Sequence, residues 1–291
     1  MKPILLSDSS ADMYSGYYAE NDVERVSLSY IINGQQFFDR SIAEETNYLY
    51  ARMRKGDSVT TSQVNVQTFY DLFESFLPQG RPIVTISMSS KLSGTFAASE
   101  TAKEMILQKH PEAEIYNIDS CSATVGQGHI LSYAVSLRDQ GLSGKEIAAL
   151  LEENKTRFVH SVFVDDLVYL RRGGRLSAAE SFFGNLLGIK PLIWVDEKGY
   201  LVPREKKRGR KQAIFGTADF LVENIVDPEK QTVFIGHGDC PEDAEELKQL
   251  VMSRVPVRDF LIGMIGPVIG AHTGPGSLAI SFFGKDRKEI K

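Results

Sequence analysis

The chain has 291 residues, of which 24% are charged and 42% apolar, with a net charge of −5 and a pI near 5.7. That balance suits a globular protein of one large or two modest domains and argues against broad nucleic-acid binding, which needs a concentrated basic surface. Two isolated cysteines, Cys121 and Cys240, no signal-peptide pattern and no apolar stretch near the ~20 residues that span a bilayer point to a soluble cytoplasmic protein without integral membrane contact.

Lys2–Leu6 reads as a strand ended by the turn-prone SDSSAD, and Val26–Ile32 as a second strand ended by Asn33-Gly34, a hairpin signal. Helices are predicted over Ala43–Lys55 and Gln67–Leu77, the second with Phe69, Leu72, Phe73 and Phe76 on one face. Pro82–Met88 is a buried-strand pattern, followed by the loop SSKLSG and a helix from Thr95 to Lys109. A strand at Ile115–Ile118 and helices at Thr124–Asp139 and Lys145–Asn154 continue the alternation. Strand, helix, strand, helix predicts a doubly wound, largely parallel sheet.

From Arg157 the rhythm changes. Strands are predicted at Val159–Val164, Leu192–Val195, Tyr200–Arg204, Thr232–Ile235, Val257–Ile262 and Leu278–Phe283. Helices are predicted at Asp166–Arg171, Ser177–Leu187, Gln212–Ile225 and Pro241–Ser253, the last with proline at its first position. The expected organisation is an N-terminal α/β domain over 1–157 and a second, mixed-sheet α/β domain over 158–276. The last strand, 277–284, is allowed to rejoin the first domain.

Three loop clusters are rich in hydroxyls or glycines: Thr60-Thr61-Ser62-Gln63, the run from Ser89 to Thr95, and Gly266–Gly276 with His272 among its glycines. In the second, Ser93 and Thr95 offer hydroxyls and Gly94 close backbone approach, where free N–H groups at a helix start attract an anion. Ser93 as a plain helix cap is the simpler reading of that cluster alone. Neither a phosphate-binding GxxxxGK[ST] loop nor a GxSxG nucleophile elbow occurs. His110, His129 and His160 have no metal-ligand spacing, so no metal is expected. His237, before Asp239 and Pro241, sits at a turn those residues explain as a helix start.

The segments SDSSAD, TTSQ, SSKLSGTF, IDSCSATVGQG, LVYLRRGGRLS, GIKPLIWVDEKG and IGPVIGAHTGPG occur in order over nearly the whole chain. In this the chain resembles the DegV-like family, the fatty-acid-binding subunits of bacterial fatty acid kinase. One departure is visible: the family often has proline after TTSQ, where this chain continues Val64-Asn65-Val66, with the hydroxyls kept.

The resemblance implies a two-domain α/β protein with a long-chain fatty acid in a deep tunnel between or within the domains, and no cofactor beyond that ligand. Thr61, Ser62, Ser93, the Gly94 amide and His272 would surround the carboxylate. A separate ATP-dependent kinase subunit would phosphorylate the acid to an acyl-phosphate for phospholipid synthesis, leaving this chain without catalytic machinery. Hiding about 14 methylenes, at about 0.8 kcal/mol each, makes such a carrier worthwhile. Phe182, Phe183, Leu186, Leu187 and Ile269 are candidate tunnel residues.

Two cationic runs, Arg171-Arg172 with Arg175 and Arg204–Lys211, read by themselves as solvated faces. With the resemblance, Arg171, Arg172, Arg204 and Arg208 become candidates for docking the kinase near the carboxylate. Two other classes stand beside this reading. One is a serine hydrolase of acyl esters using Ser93, His272 and an acid such as Asp119. The other is a regulatory or DNA-binding protein.

Overall fold

A computed structural model describes residues 1–175 and 188–290. In chain order the strands are β1 (Ile4–Asp8), β2 (Val23–Val26), β3 (Ser29–Ile32), β4 (Gln35–Phe38), β5 (Val59–Ser62), β6 (Ile83–Ser87), β7 (Ile115–Asp119), β8 (Phe158–Phe163), β9 (Ile189–Val195), β10 (Leu201–Arg208), β11 (Thr232–His237), β12 (Asp259–Met264) and β13 (Leu278–Phe283). The helices are α1 (Tyr17–Glu20), α2 (Ala43–Arg54), α3 (Val66–Phe76), α4 (Thr95–Lys109), α5 (Thr124–Asp139), α6 (Gly144–Asn154), α7 (Val168–Arg172), α8 (Arg210–Asn224), α9 (Pro241–Met252) and α10 (Pro267–Thr273).

The first sheet is four-stranded and wholly parallel, in the order β2-β1-β6-β7. β1 and β6 are buried at every position, which is why their sequences run apolar without alternation. Helix α3 buries Phe69, Tyr70, Phe73 and Phe76, and its first turn is held by Asn65, whose side chain accepts from the Thr68 amide at 2.8 Å. The second sheet is mixed, in the order β10-β9-β8-β13-β11-β12, with only β11 and β12 parallel. The two-unit α/β organisation read from the sequence is therefore present. The predicted helix Ser177–Leu187 lies outside the described residues.

Three expectations are corrected. Val26–Ile32 is not one strand: it breaks at Ser27-Leu28, so that β2 joins the parallel sheet while β3 starts a separate antiparallel sheet, β4-β3-β5. The β3–β4 turn is made by Asn33 and Gly34, both at positive φ (50° and 82°), as the hairpin signal required. The TTSQ segment is not a loop, because Thr60, Thr61 and Ser62 form most of β5 at the edge of that small sheet. Finally, the last strand does not rejoin the first unit: β13 lies between β8 and β11, antiparallel to both.

Helix α5 lies between the two large sheets and is buried along most of its length. Its glycines make this possible. A side chain at Gly126 would run into Ser122 and His160 of the second sheet, and one at Gly128 into the Ala11 carbonyl and Met13. Asp8 anchors the same region. Its carboxylate accepts from the Ser10 amide at 3.1 Å, the Met88 amide at 2.9 Å and Gln127 Nε2 at 3.1 Å, tying β1, the end of β6 and α5 together. The SDSSAD and TVGQG motifs thus serve the frame that the cavity is built on.

A second anchor joins the units. Arg287 is 1% exposed and donates to the carbonyls of Cys121 (2.8 Å), Lys155 (2.9 Å), Thr156 (3.3 Å), Val195 (3.3 Å) and Asp196 (2.8 Å). One side chain therefore grips the turn after β7, the connection between the units, and the end of β9. Nearby, the β9–β10 turn docks on the first unit, with Ser89 Oγ donating to the Gly199 carbonyl at 2.9 Å.

Candidate functional site

The carboxyl ends of β6 and β7 open onto a cavity of about 330 Å³, closed on the far side by β8 and α10. Its walls are mostly apolar: Leu28, Met88, Leu92, Val162, Leu201 and Ile269 among them. The chain reaches it at the carboxyl edge of a parallel sheet, where open α/β sheets place their ligands. Of the tunnel residues expected from sequence, Ile269 lines it and is buried, while Phe182, Phe183, Leu186 and Leu187 lie outside the described residues.

One end of the cavity is polar. Thr61 Oγ1 and His272 Nε2 are 2.8 Å apart, joining β5 to α10. Across from them, Ser93 and Gly94 form the start of α4. Ser93 Oγ accepts from the Thr95 amide at 3.2 Å and shares a hydrogen bond with Thr95 Oγ1 at 2.9 Å. Gly94, not Ser93, is the N-cap of α4; the Ser93 hydroxyl holds the Thr95 amide from one residue earlier and lines the cavity as well. α5 also points its N-terminus here through Ala123 and Thr124, so two helix dipoles present their positive ends to the same space.

His272 is on a helix, not on a loop as its glycine-rich surroundings suggested. Pro267 opens α10, and His272 sits in its last turn. Burial, with Arg175 adding a like charge, pushes the imidazole down to about 4, so it is neutral at physiological pH. Its Nδ1 is buried without a partner and faces Gly173, where a side chain would overlap the ring.

The residues named from sequence do not all play equal parts. Strand alternation turns Thr61 inward and leaves Ser62 exposed at the rim. Gln63, not singled out from sequence, lies over Gly94, where an added Cβ would overlap its amide. Arg175 also lines the cavity, although sequence suggested only membership in a basic run. Its Nε donates to the Leu92 carbonyl at 3.1 Å and its Nη1 to the Gly173 carbonyl, which ties α7 to the loop before α4. His160 and Thr124 complete the lining; no local pattern marks either one, because β8 and α5 meet only in the folded chain.

Among the docking candidates, Arg171, Arg172 and Arg208 are exposed. Arg204 is not placed with them. It is half-buried over the Phe220 ring, 4.3 Å from its centre, and pairs with Glu205 at 3.1 Å and Glu223 at 3.0 Å. Phe220 belongs to the core on the sheet face opposite Val162, away from the cavity.

A serine-hydrolase relay is not assembled. Ser93 bonds to Thr95, not to His272. The Asp119 carboxylate accepts from the Ser90 and Cys121 amides at 3.1 and 3.0 Å, which shapes the two loops. Among the described residues, no cluster of three or more His, Cys, Asp or Glu side chains is placed to hold a metal ion, and no helix is long and apolar enough to cross a membrane.

Comparison with known proteins agrees with this geometry. A DegV domain-containing protein of Clostridium perfringens is 39% identical over 99% of both chains. Among solved structures, a DegV lipid-binding protein from Thermotoga maritima superposes with a TM-score of 0.86 at 27% identity, covering 99% of this chain and 100% of that one. DegV of Bacillus subtilis, a fatty-acid-binding protein, superposes with a TM-score of 0.81 at 29% identity, covering 98% and 100%. The model of the DegV family, described as uncharacterised proteins, matches residues 4–285, and with the shared architecture and cavity it follows that the chain belongs to the DegV family.

Proposed function

We propose that this protein binds a long-chain fatty acid in the cavity and presents its carboxylate to a separate ATP-dependent kinase subunit, which converts it to an acyl-phosphate for phospholipid synthesis in the cytoplasm. One observation carries the reading: an apolar cavity ends in a cluster of neutral donors, Thr61, His272 and Ser93, beside the Gly94 turn. Fatty-acid binding by the Bacillus subtilis and Thermotoga maritima relatives supports it.

The chemistry of the cluster suits presentation. With His272 Nε2–H donating to Thr61 Oγ1, the Thr61 hydroxyl is left free to donate to a carboxylate oxygen. Ser93 and the Gly94 amide approach from the α4 side, and each hydrogen bond to the charged head contributes about 1.5–3 kcal/mol. Hydroxyls and an amide hold the carboxylate without the bidentate clamp of an arginine, so one oxygen stays available to attack a phosphoryl group. Arg175 sits close enough to favour the anion while its Nε and Nη1 remain bonded to backbone. Arg171, Arg172 and Arg208 are exposed cations suited to docking the acidic or phosphate-bearing face of the kinase.

The test is native mass spectrometry of the purified protein, extraction of any bound lipid, and reloading of delipidated protein with fatty acid in the presence of kinase and ATP. Stoichiometric fatty acid and ATP-dependent acyl-phosphate support the reading. Protein that neither carries nor takes up fatty acid overturns it.

A further inference from the structure

Besides Thr61, His272 and Ser93, the cavity wall holds a further polar position on a different element, β8. His160 projects from β8 and is 2% exposed. Its Nδ1 edge is occupied, 3.3 Å from Ser122 Oγ and against Gly126, and its Nε2 has no hydrogen-bond partner. From α5, Thr124 is 3% exposed, its backbone held at φ 46°, and its Oγ1 faces the Asp12 carboxylate. Both residues line the cavity.

A buried polar atom without a partner on a surface meant for methylenes weakens binding of a plain chain, since it loses hydration and gains nothing. We propose that this position receives a hydrogen-bonding oxygen carried along the acyl chain, and that the preferred ligand class is a hydroxy or oxo fatty acid. The inference rests on the fatty-acid reading above and deepens it. A neutral imidazole suits this task in either tautomer: Nε2–H donates to a hydroxyl or ketone oxygen, while bare Nε2 accepts from a hydroxyl. A trapped water could meet the same nitrogen, and the chemistry at the site would be identical; competition between ligands separates the two sources.

The experiment uses delipidated full-length protein and competition binding of stearic acid against monohydroxystearic acids with the hydroxyl at successive carbons. At least one isomer should bind about tenfold more tightly than stearic acid, the effect of one good hydrogen bond. His160→Phe should erase that preference, read as the ratio of the two affinities within the same variant, whatever happens to the affinity for stearic acid itself. His160→Leu serves as a second apolar replacement should phenylalanine not fit. The inference is overturned if no isomer outbinds stearic acid, which is the result expected of a site filled by water alone, or if the preference survives both replacements. Should stearic acid and every isomer fail to bind, the fatty-acid reading falls first and takes this inference with it.

Discussion

Thr61 and His272 are 211 positions apart in the chain, yet Thr61 Oγ1 and His272 Nε2 lie 2.8 Å from each other. The bond links the small antiparallel sheet to the short helix before the last strand. Each residue fixes the orientation of the other at the polar end of the cavity. Replacing Thr61 with valine keeps shape but removes both the bond and the hydroxyl. Fatty-acid affinity should fall about tenfold to a hundredfold, and His272→Ala should do the same. On the proposed reading both bear on one head group, so the double replacement should cost less than the two single effects combined. Displacement of a fluorescent fatty acid measures all three, and full additivity would mean the pair does not act together.

Gly94 and Gln63 offer a sharper probe of the mouth. Gly94 has φ −77°, which alanine adopts without strain, and an added methyl would meet only the movable end of Gln63. Gly94→Ala should leave thermal stability nearly unchanged while displacing Gln63 and lowering ligand affinity several-fold. Shortening Gln63 to alanine in that background should restore binding. Failure of the restoration would show that the methyl itself obstructs the ligand.

Acid should act on this protein through its buried imidazoles. Burial drives His129, stacked 4.4 Å from the Phe234 ring, down to about 3. The unfolded chain protonates it near pH 6.5, so its contribution is fully present above that pH and is lost as pH falls toward 3. A His129→Phe protein should therefore gain in melting temperature relative to the parent as pH is lowered from 6.5 to 4. An unchanged difference across that window would place the acid sensitivity elsewhere.

Asp39 has the opposite sign. Burial raises its carboxyl to about 6, while Oδ1 accepts from the Ser41 amide at 3.0 Å. Its contribution is fully present below the unfolded value near 3.9 and is lost as pH rises through 6. Asparagine keeps the acceptor and cannot ionise. Asp39→Asn should thus gain on the parent between pH 4 and pH 7, again read as a difference in melting temperature.

Arg287 is the most consequential single side chain for the frame. Methionine in its place fills much of the volume but takes the side-chain donors from five carbonyls, of which Thr156 and Asp196 still accept from the backbone amides of residues 287 and 199. At about 1–3 kcal/mol for a buried group left unsatisfied, the loss should exceed about 3 kcal/mol, on the order of 10 °C in melting temperature. Calorimetry gives the stability and lipid titration the accompanying loss of affinity, since the Cys121 turn borders the cavity wall at Ala123.

Much of this was legible in the residues. The continuous apolar runs of β1 and β6 announce a buried parallel sheet, Asn33-Gly34 a hairpin, and Pro241 a helix start, because each depends on local chemistry. β5, Val59–Ser62, was not readable as a strand: four residues at a sheet edge, with Thr60, Thr61 and Ser62 polar, bury too little to show a pattern. His272 was hidden differently. Pro267 carries a helix-start signal, but Gly266, Gly270 and Gly274 argue for a loop, and only contact with Tyr50, whose hydroxyl sits against Gly270 and donates to the Ile265 carbonyl at 2.9 Å, explains why a helix forms there. His160, Thr124 and Arg175 become neighbours through tertiary packing alone, which no spacing in the chain records.

The placement of β13 between β8 and β11 has a temporal consequence. The parallel sheet and α5 can be complete while the chain is still being made, but β8, which carries His160 and Val162 into the cavity, has no partner on that side until residues 278–283 emerge. At about 5–20 residues per second, the ribosome leaves that wall open for roughly ten seconds. A nascent chain therefore exposes the greasy surface before it can enclose anything. The order of the strands thus makes the enclosure of the cavity one of the last events in building the fold.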